Sequence, residues 1–136
     1  MNDIVYKDLH FNKSAILKLY NDNEWTLYTE NPTKLFDGIL NSLYCYGAYD
    51  KKRLIGLVRV IGDSNTIIYI QDILILKSYQ NKGIGTKLLS DIINKYKGVR
   101  QLILTTDNSE MQKKFYKKNG FVEFVDANLV GFRLKK

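Results

Sequence analysis

With a single cysteine, Cys45, the chain cannot close a disulfide on itself. A disulfide-stapled secreted scaffold is excluded, and a cytoplasmic protein is expected. Cys45 lies in "SLYCYGAY", a strand-like stretch where a lone thiol is expected as buried filler. Proline occurs once, as Pro32, and no internal repeat, low-complexity tract or Gly/Ser linker interrupts the sequence. Nothing marks a boundary, so residues 1–136 are expected to form one domain. No apolar run approaches the roughly 20 residues that span a bilayer. The opening "MNDIVYKDLHF" has neither the basic region nor the apolar segment of a secretory signal. The lone histidine, His10, stands near the end of a strand-like stretch and reads as a surface residue.

Hydrophobic residues make up 45% and charged residues 26%, the composition of a globular domain able to bury a core. Lys and Arg outnumber Asp and Glu by 21 to 14, a net charge of +7. Such a surface suits an anionic partner, either nucleic acid or a small ligand carrying several phosphates. The lysines are scattered in ones and twos, without the block of like charge that marks an interaction tail. A nucleic-acid module would want a basic stripe with interleaved aromatics, and "KKFYKKNGF" is the nearest approach.

The pattern of elements is legible. "NDIVYK" (residues 2–7) reads as a strand, and "NKSAILKLYNDN" puts Ile16, Leu17 and Tyr20 on one helical face. "NPTKLFDGILNSL" opens a second helix with Asn31 as cap and Pro32 at its first position. "YCYGAYD" and "RLIGLVRVIGD" flank a hairpin turn at "DKKR". "TIIYIQDILIL" (residues 66–76) is apolar almost throughout, which predicts a central strand covered on both faces. A helical stripe follows at Ile84, Leu88, Leu89, Ile92, Ile93 and Tyr96. Then come the strand "VRQLILTTD", a helix over "NSEMQKKFYKKNG" capped by Ser109 or Asn108, and a closing hairpin over "FVEFVDANLVGFRL". The order β-α-α-β-β-β-α-β-α-β-β predicts a mixed α/β sheet of about seven strands with about four helices.

Between strand and helix stands "QNKGIG". It is not a dinucleotide fingerprint, because the third glycine position holds Leu88. It is not a nucleotide P-loop either, because Gly85 is followed by Thr86 and Lys87 in the wrong order. What remains is a helix start whose amides at Gly83, Ile84, Gly85 and Thr86 favour an anion. Gln80, Asn81 and Lys82 add donors and a positive charge.

"QNKGIG" resembles the Q/R-x-x-G-x-G/A signature of the GNAT acyltransferase superfamily, with Gln80, Gly83 and Gly85 at the marked positions. "IYIQDILILKSYQNKGIGTKLL" resembles that family's fourth strand, loop and third helix, and "NSEMQKKFYKKNGF" its next conserved segment. The resemblance implies an N-acetyltransferase with acetyl-CoA as co-substrate and no metal. The pyrophosphate would sit on residues 80–86, and the pantetheine arm would pair with the backbone of Ile73, Leu74 and Ile75. Asn108 would border the cofactor. Tyr116 matches the tyrosine that protonates the departing thiolate. A carboxylate on the fourth strand often serves as base there. Here Gln71 occupies that position, and Asp72 beside it fits two roles, base or water-orienting group, or structural carboxylate bonding a nearby loop. Trp25 and Tyr28, in the loop between the first helices, are candidates for an acceptor pocket. The resemblance leaves open a small-molecule or peptide amine as acceptor, a monomer or homodimer, and a non-catalytic acyl-CoA sensor on the same fold. It implies no nucleic-acid or membrane partner.

Overall fold

The computed structural model describes residues 3–136. Its elements are β1 (Ile4–Asp8), α1 (Lys13–Asp22), α2 (Thr26–Thr29), α3 (Pro32–Leu40), β2 (Tyr44–Asp50), β3 (Arg53–Gly62), β4 (Ile67–Ile75), α4 (Ile84–Lys95), β5 (Gln101–Leu104) and α5 (Glu110–Lys118). Residue 2, with which the expected first strand began, lies outside the described residues. The chain packs as two compact units, one ending at Thr105 and one spanning Thr106–Lys136.

The first unit holds a five-stranded sheet in the order β1-β2-β3-β4-β5. The first three pairings are antiparallel, and β4 pairs with β5 in parallel through α4. Local chemistry sets the helix starts. Asn12 accepts from the Ala15 N–H at 2.9 Å, and Asn31 accepts from the Lys34 N–H at 3.3 Å, with Pro32 needing no bond at its nitrogen. The α4 stripe buries Ile84, Leu88, Leu89 and Ile92, each contributing about 1.5–3 kcal/mol. Two residues, Lys51 and Lys52, turn β2 into β3, with Lys51 in a left-handed conformation at φ 58°. Among the described residues no helix is long and apolar enough to cross a membrane.

Two expectations change. The strand buried on both faces is β3, from Leu54 to Val60, and not β4. In β4, Ile68, Ile70, Asp72 and Leu74 are buried, while the alternate residues are half-buried and Gln71 is exposed. The parallel partner β5 accompanies β4 only from Ile67 to Ile70, so among the described residues the rest of β4 is flanked by a strand on one side alone.

The second difference is the strand count, five in the sheet instead of about seven. In the second unit, the expected closing hairpin is replaced by a 3-10 turn at Phe124–Ala127. Its backbone groups are spent locally. Leu129 N–H donates to the Phe124 carbonyl at 2.7 Å and Asn128 N–H to that of Val125 at 3.1 Å, with Asn128 left-handed at φ 59°. The alternating apolar residues Val122, Val130, Phe132 and Leu134 are left exposed. The same unit contains α5, capped by the Ser109 hydroxyl, which accepts from Gln112 N–H at 3.3 Å. Gly120, at φ 94°, ends it, and Phe121 N–H returns to the Tyr116 carbonyl at 3.0 Å.

Candidate active site

The site in the first unit begins with a defect in pairing. Between β3 and β4 the register runs Arg59↔Asp72 and then Val60↔Ile70, so Gln71 is an extra residue, a β-bulge. Pairing of β4 with β5 stops at the same level, at Ile70↔Leu104. Beyond it, β4 runs on through Ile73, Leu74 and Ile75 with no described strand on that edge. An extended ligand carrying amides or carbonyls could bond that edge as a missing strand would.

At the end of this edge lies the glycine turn. A 3-10 turn over Lys77–Tyr79 leads to Gln80, and α4 starts at Ile84. Asn81 and Gly83 are both left-handed, at φ 60° and 83°. The first N–H groups of α4 have no carbonyl one turn back, and the helix dipole adds positive potential there. A Cβ built on Gly83 would meet nothing within 4 Å, so the turn has open space beside it. Gln80 is not a free donor. Its side-chain Nε2 donates to the Ile75 carbonyl at 3.1 Å and to Asn23 Oδ1 at 3.4 Å, and its N–H donates to Lys77. Asn23 Nδ2 donates to the same Ile75 carbonyl at 3.1 Å. Gln80 therefore ties the turn to the end of β4 and to the C-terminal end of α1.

On the buried face of β4, Asp72 is the centre of a polar network. Its carboxylate accepts from Arg59 Nε, Tyr20 Oη and Tyr28 Oη, each at 2.8 Å. The Arg59 and Asp72 side chains are 8% and 3% exposed. Burial works against the Arg59 charge, but Asp72 outweighs it and holds the guanidinium pKa above its ordinary value. Burial first, and the Asp72 charge second, push the Tyr20 and Tyr28 hydroxyls up as well. Three donors, from β3, α1 and α2, thus satisfy the Asp72 carboxylate within the fold. Sequence reasoning did not name Arg59, and it read Tyr20 only as part of a helical face. Their signal was available, because a carboxylate inside an apolar strand demands partners.

Tyr28 connects this network to the surface. Its hydroxyl donates to Asp72 and accepts from Gln71 Nε2 at 3.0 Å and from Arg59 Nη2 at 3.4 Å. Trp25 packs against Tyr20 and Tyr28, with ring centroids 5.7 and 6.0 Å away. Both candidate acceptor-side aromatics thus stand together, half-buried, over the bulge. A separate groove of about 330 Å³ lies against β2 and α4, lined by Tyr44, Tyr46, Lys87 and Lys95, two strands away from β4. Cys45 is half-buried, its thiol pKa raised by burial.

In the second unit, Tyr116 is buried on α5. Its ring meets Phe115 and Phe121 edge-on at 5.0 and 5.8 Å. Burial pushes its pKa up to about 12, so it keeps its proton at neutral pH. Asn108 precedes the α5 cap, Ser109, in the same unit and is exposed. Among the described residues, no three His, Cys, Asp or Glu side chains gather as a metal site.

Comparison with known proteins gives the following. A family model described as an acetyltransferase (GNAT) domain matches residues 41–123. No curated protein matches the chain. Among solved structures, a GNAT-family acetyltransferase from Streptococcus pneumoniae is 27% identical, with 100% of this chain and 98% of that one covered at a TM-score of 0.86. A Staphylococcus aureus protein described as a "probable acetyltransferase" is also 27% identical, with 98% and 100% covered at a TM-score of 0.77. An aminoglycoside N-acetyltransferase solved with CoA shares the fold at a TM-score of 0.76, with 15% identity and coverage of 100% and 95%.

Proposed function

The chain belongs to the GNAT acetyltransferase family, and we propose that it transfers an acetyl group from acetyl-CoA to a primary amine of a small molecule or peptide, in the cytoplasm, with residues 1–136 acting as one N-acetyltransferase domain. The observation that carries this reading is the open edge of β4 leading into the glycine turn. A pantetheine arm is a chain of amides of the length and polarity to pair with Ile73, Leu74 and Ile75. The diphosphate joined to it would then meet the turn from Asn81 to Thr86, held there by Gln80.

The reaction needs a nucleophilic amine, a carbonyl and a leaving thiolate. The new C–N bond forms as the C–S bond breaks, and the thiolate takes a proton. Tyr116 is the proposed donor of that proton. Its raised pKa keeps it protonated, and a thiolate asks little of its acid. For the base, β4 has little to give. A Gln71 amide is not basic at neutral pH, and both Asp72 oxygens already accept from buried donors. We assign Asp72 to positioning: it fixes Tyr28, and through it Gln71, beside the opening. Trp25 and Tyr28 line the acceptor side in this reading.

The test is calorimetric titration with acetyl-CoA, followed by thiol release against a panel of amines and peptides. Binding and release with at least one amine are expected. Gly85→Trp should abolish binding by filling the turn. Unchanged affinity in that variant would remove the turn from the donor site.

A further inference from the structure

We propose that the β2–β3 turn, together with Lys82, forms a second phosphate subsite. It would receive a phosphomonoester on the donor's nucleoside end, so that the protein selects acetyl-CoA over its 3′-dephospho form. This rests on the reading of the donor as acetyl-CoA.

The subsite is organised around Tyr79, the last residue of the 3-10 turn and the one just before Gln80. The Tyr79 hydroxyl donates to Asp50, a carboxylate 8% exposed at the end of β2. That bond fixes the ring against the β2–β3 turn. Two cations stand over the ring. Arg53 Cζ is 5.9 Å from its centroid, and Lys82 Nζ is 5.5 Å from it. Arg53 opens β3, and Lys82 belongs to the glycine turn, so residues about thirty apart in sequence share one aromatic platform. The backbone holds them together, since Leu76 N–H donates to the Ile55 carbonyl at 2.9 Å. Lys51 and Lys52 complete the hairpin turn beside Arg53.

The electrostatics point to an anion. Among the described residues, the ion pairs involve neither Lys51, Lys52, Arg53 nor Lys82. Four exposed positive charges at one end of the sheet repel one another, and an anion among them relieves the repulsion. In the proposed reading the turn's own amides serve the diphosphate. Among the described residues Asp50 is the one carboxylate at these four cations, paired across the strands with Arg53, so the cluster keeps a net positive charge, and a donor that carries a further phosphomonoester, with about two negative charges at neutral pH, would meet it there.

The experiment measures dissociation constants for acetyl-CoA and 3′-dephospho-acetyl-CoA, by calorimetry at low salt. Two solvated charge contacts multiply to a preference of about tenfold for the phosphorylated form. Arg53→Gln should reduce that ratio, Arg53→Lys should largely restore it, and Arg53→Gln with Lys82→Gln should bring it near one. Raising the salt should shrink the wild-type ratio. A wild-type ratio near one overturns the subsite while leaving the acetyl-CoA reading intact. An unchanged ratio in the double variant, with melting temperatures confirming that it folds, does the same. Failure of both forms to bind overturns the donor reading and the subsite with it.

Discussion

Asp72→Asn keeps the shape of the side chain and removes its charge. Three donors point at this carboxylate, from Arg59, Tyr20 and Tyr28, all at 2.8 Å. An asparagine oxygen still accepts from one or two of them, but its amide nitrogen then faces a donor. The larger effect falls on Arg59, whose guanidinium stays charged with its side chain only 8% exposed. Breaking one side of a buried pair costs about 3–5 kcal/mol, because the surviving charge is uncompensated. At about 2.1 cal/mol/K of unfolding entropy per residue, each kcal/mol lowers Tm by about 3.5 °C in a chain of 136 residues. A fall of roughly 10–17 °C follows. Arg59→Met in the same background removes the stranded charge, and the double variant should recover about half of the loss. Urea unfolding of the four proteins in the cycle measures this, with acetyl-CoA titration alongside. A single variant within about 1 kcal/mol of the parent would refute the structural role. If it also lost turnover at unchanged acetyl-CoA affinity, Asp72 would be acting on the substrate.

Three further outcomes are expected. Gly62→Ala should be the more damaging of two glycine replacements, because its Cβ would lie 2.3 Å from the Ile67 carbonyl oxygen at φ 141°, whereas Gly83→Ala meets nothing within 4 Å. Gly83→Ala should cost only the left-handed backbone term of about 1–2 kcal/mol, and equal losses in thermal melts would contradict the difference. Tyr116→Phe should lower turnover about tenfold to a hundredfold while acetyl-CoA affinity holds, and unchanged turnover would favour a different acid or a sensor. Alkaline stability carries a sign. Burial pushes the folded Tyr116 pKa up to about 12, above the ordinary tyrosine value of about 10, and Tyr20 is shifted the same way. The folded state therefore holds these protons to higher pH than the unfolded chain does. For Tyr116 the stabilising contribution is intact below about pH 10 and is lost as pH rises toward about 12, and for Tyr20 the loss continues above that. A urea midpoint that stays flat across that window would refute the shifts.

The sequence made the helices legible because their signals are local. Asn31-Pro32 starts α3, Ser109 starts α5, and the Ile84-Leu88-Leu89-Ile92 stripe faces the sheet as its spacing required. Strand fate is less local. "FVEFVDANLVGFRL" alternates as a hairpin should, yet alternation only prepares a strand to pair, and Asn128 in the left-handed region commits the backbone to turn bonds instead. α2 escaped the reading because one turn of helix, Thr26–Thr29, has no periodicity to show. The glycine turn and the helix start after it were readable, but the contacts of Gln80 were not. Its side chain binds the Ile75 carbonyl, five residues back, a contact that exists only once the chain has turned.

The bulge at Gln71 shows why the centre of the site was hardest to read. Neither glycine nor proline marks it in "IYIQDILIL", and the run looks like uninterrupted strand. In a regular strand, neighbouring residues point to opposite faces. Gln71 Nε2 and Asp72 Oδ1 nevertheless reach the same Tyr28 hydroxyl, at 3.0 and 2.8 Å. The extra residue makes that possible, since the bulge leaves Gln71 without a partner on β3 and turns it toward its neighbour's side. The same defect sits where β5 stops following β4. A bulge sharpens local twist, and a strand that twists away from its neighbour loses the pairing distance. One inserted residue thus accounts for both halves of the proposed site, the open edge offered to the donor and the Gln71–Tyr28 contact that faces the acceptor. The buried Arg59–Asp72 pair lies at the same rung as the bulge, opposite each other across β3 and β4, and pins the irregular register where a sliding strand would close the opening.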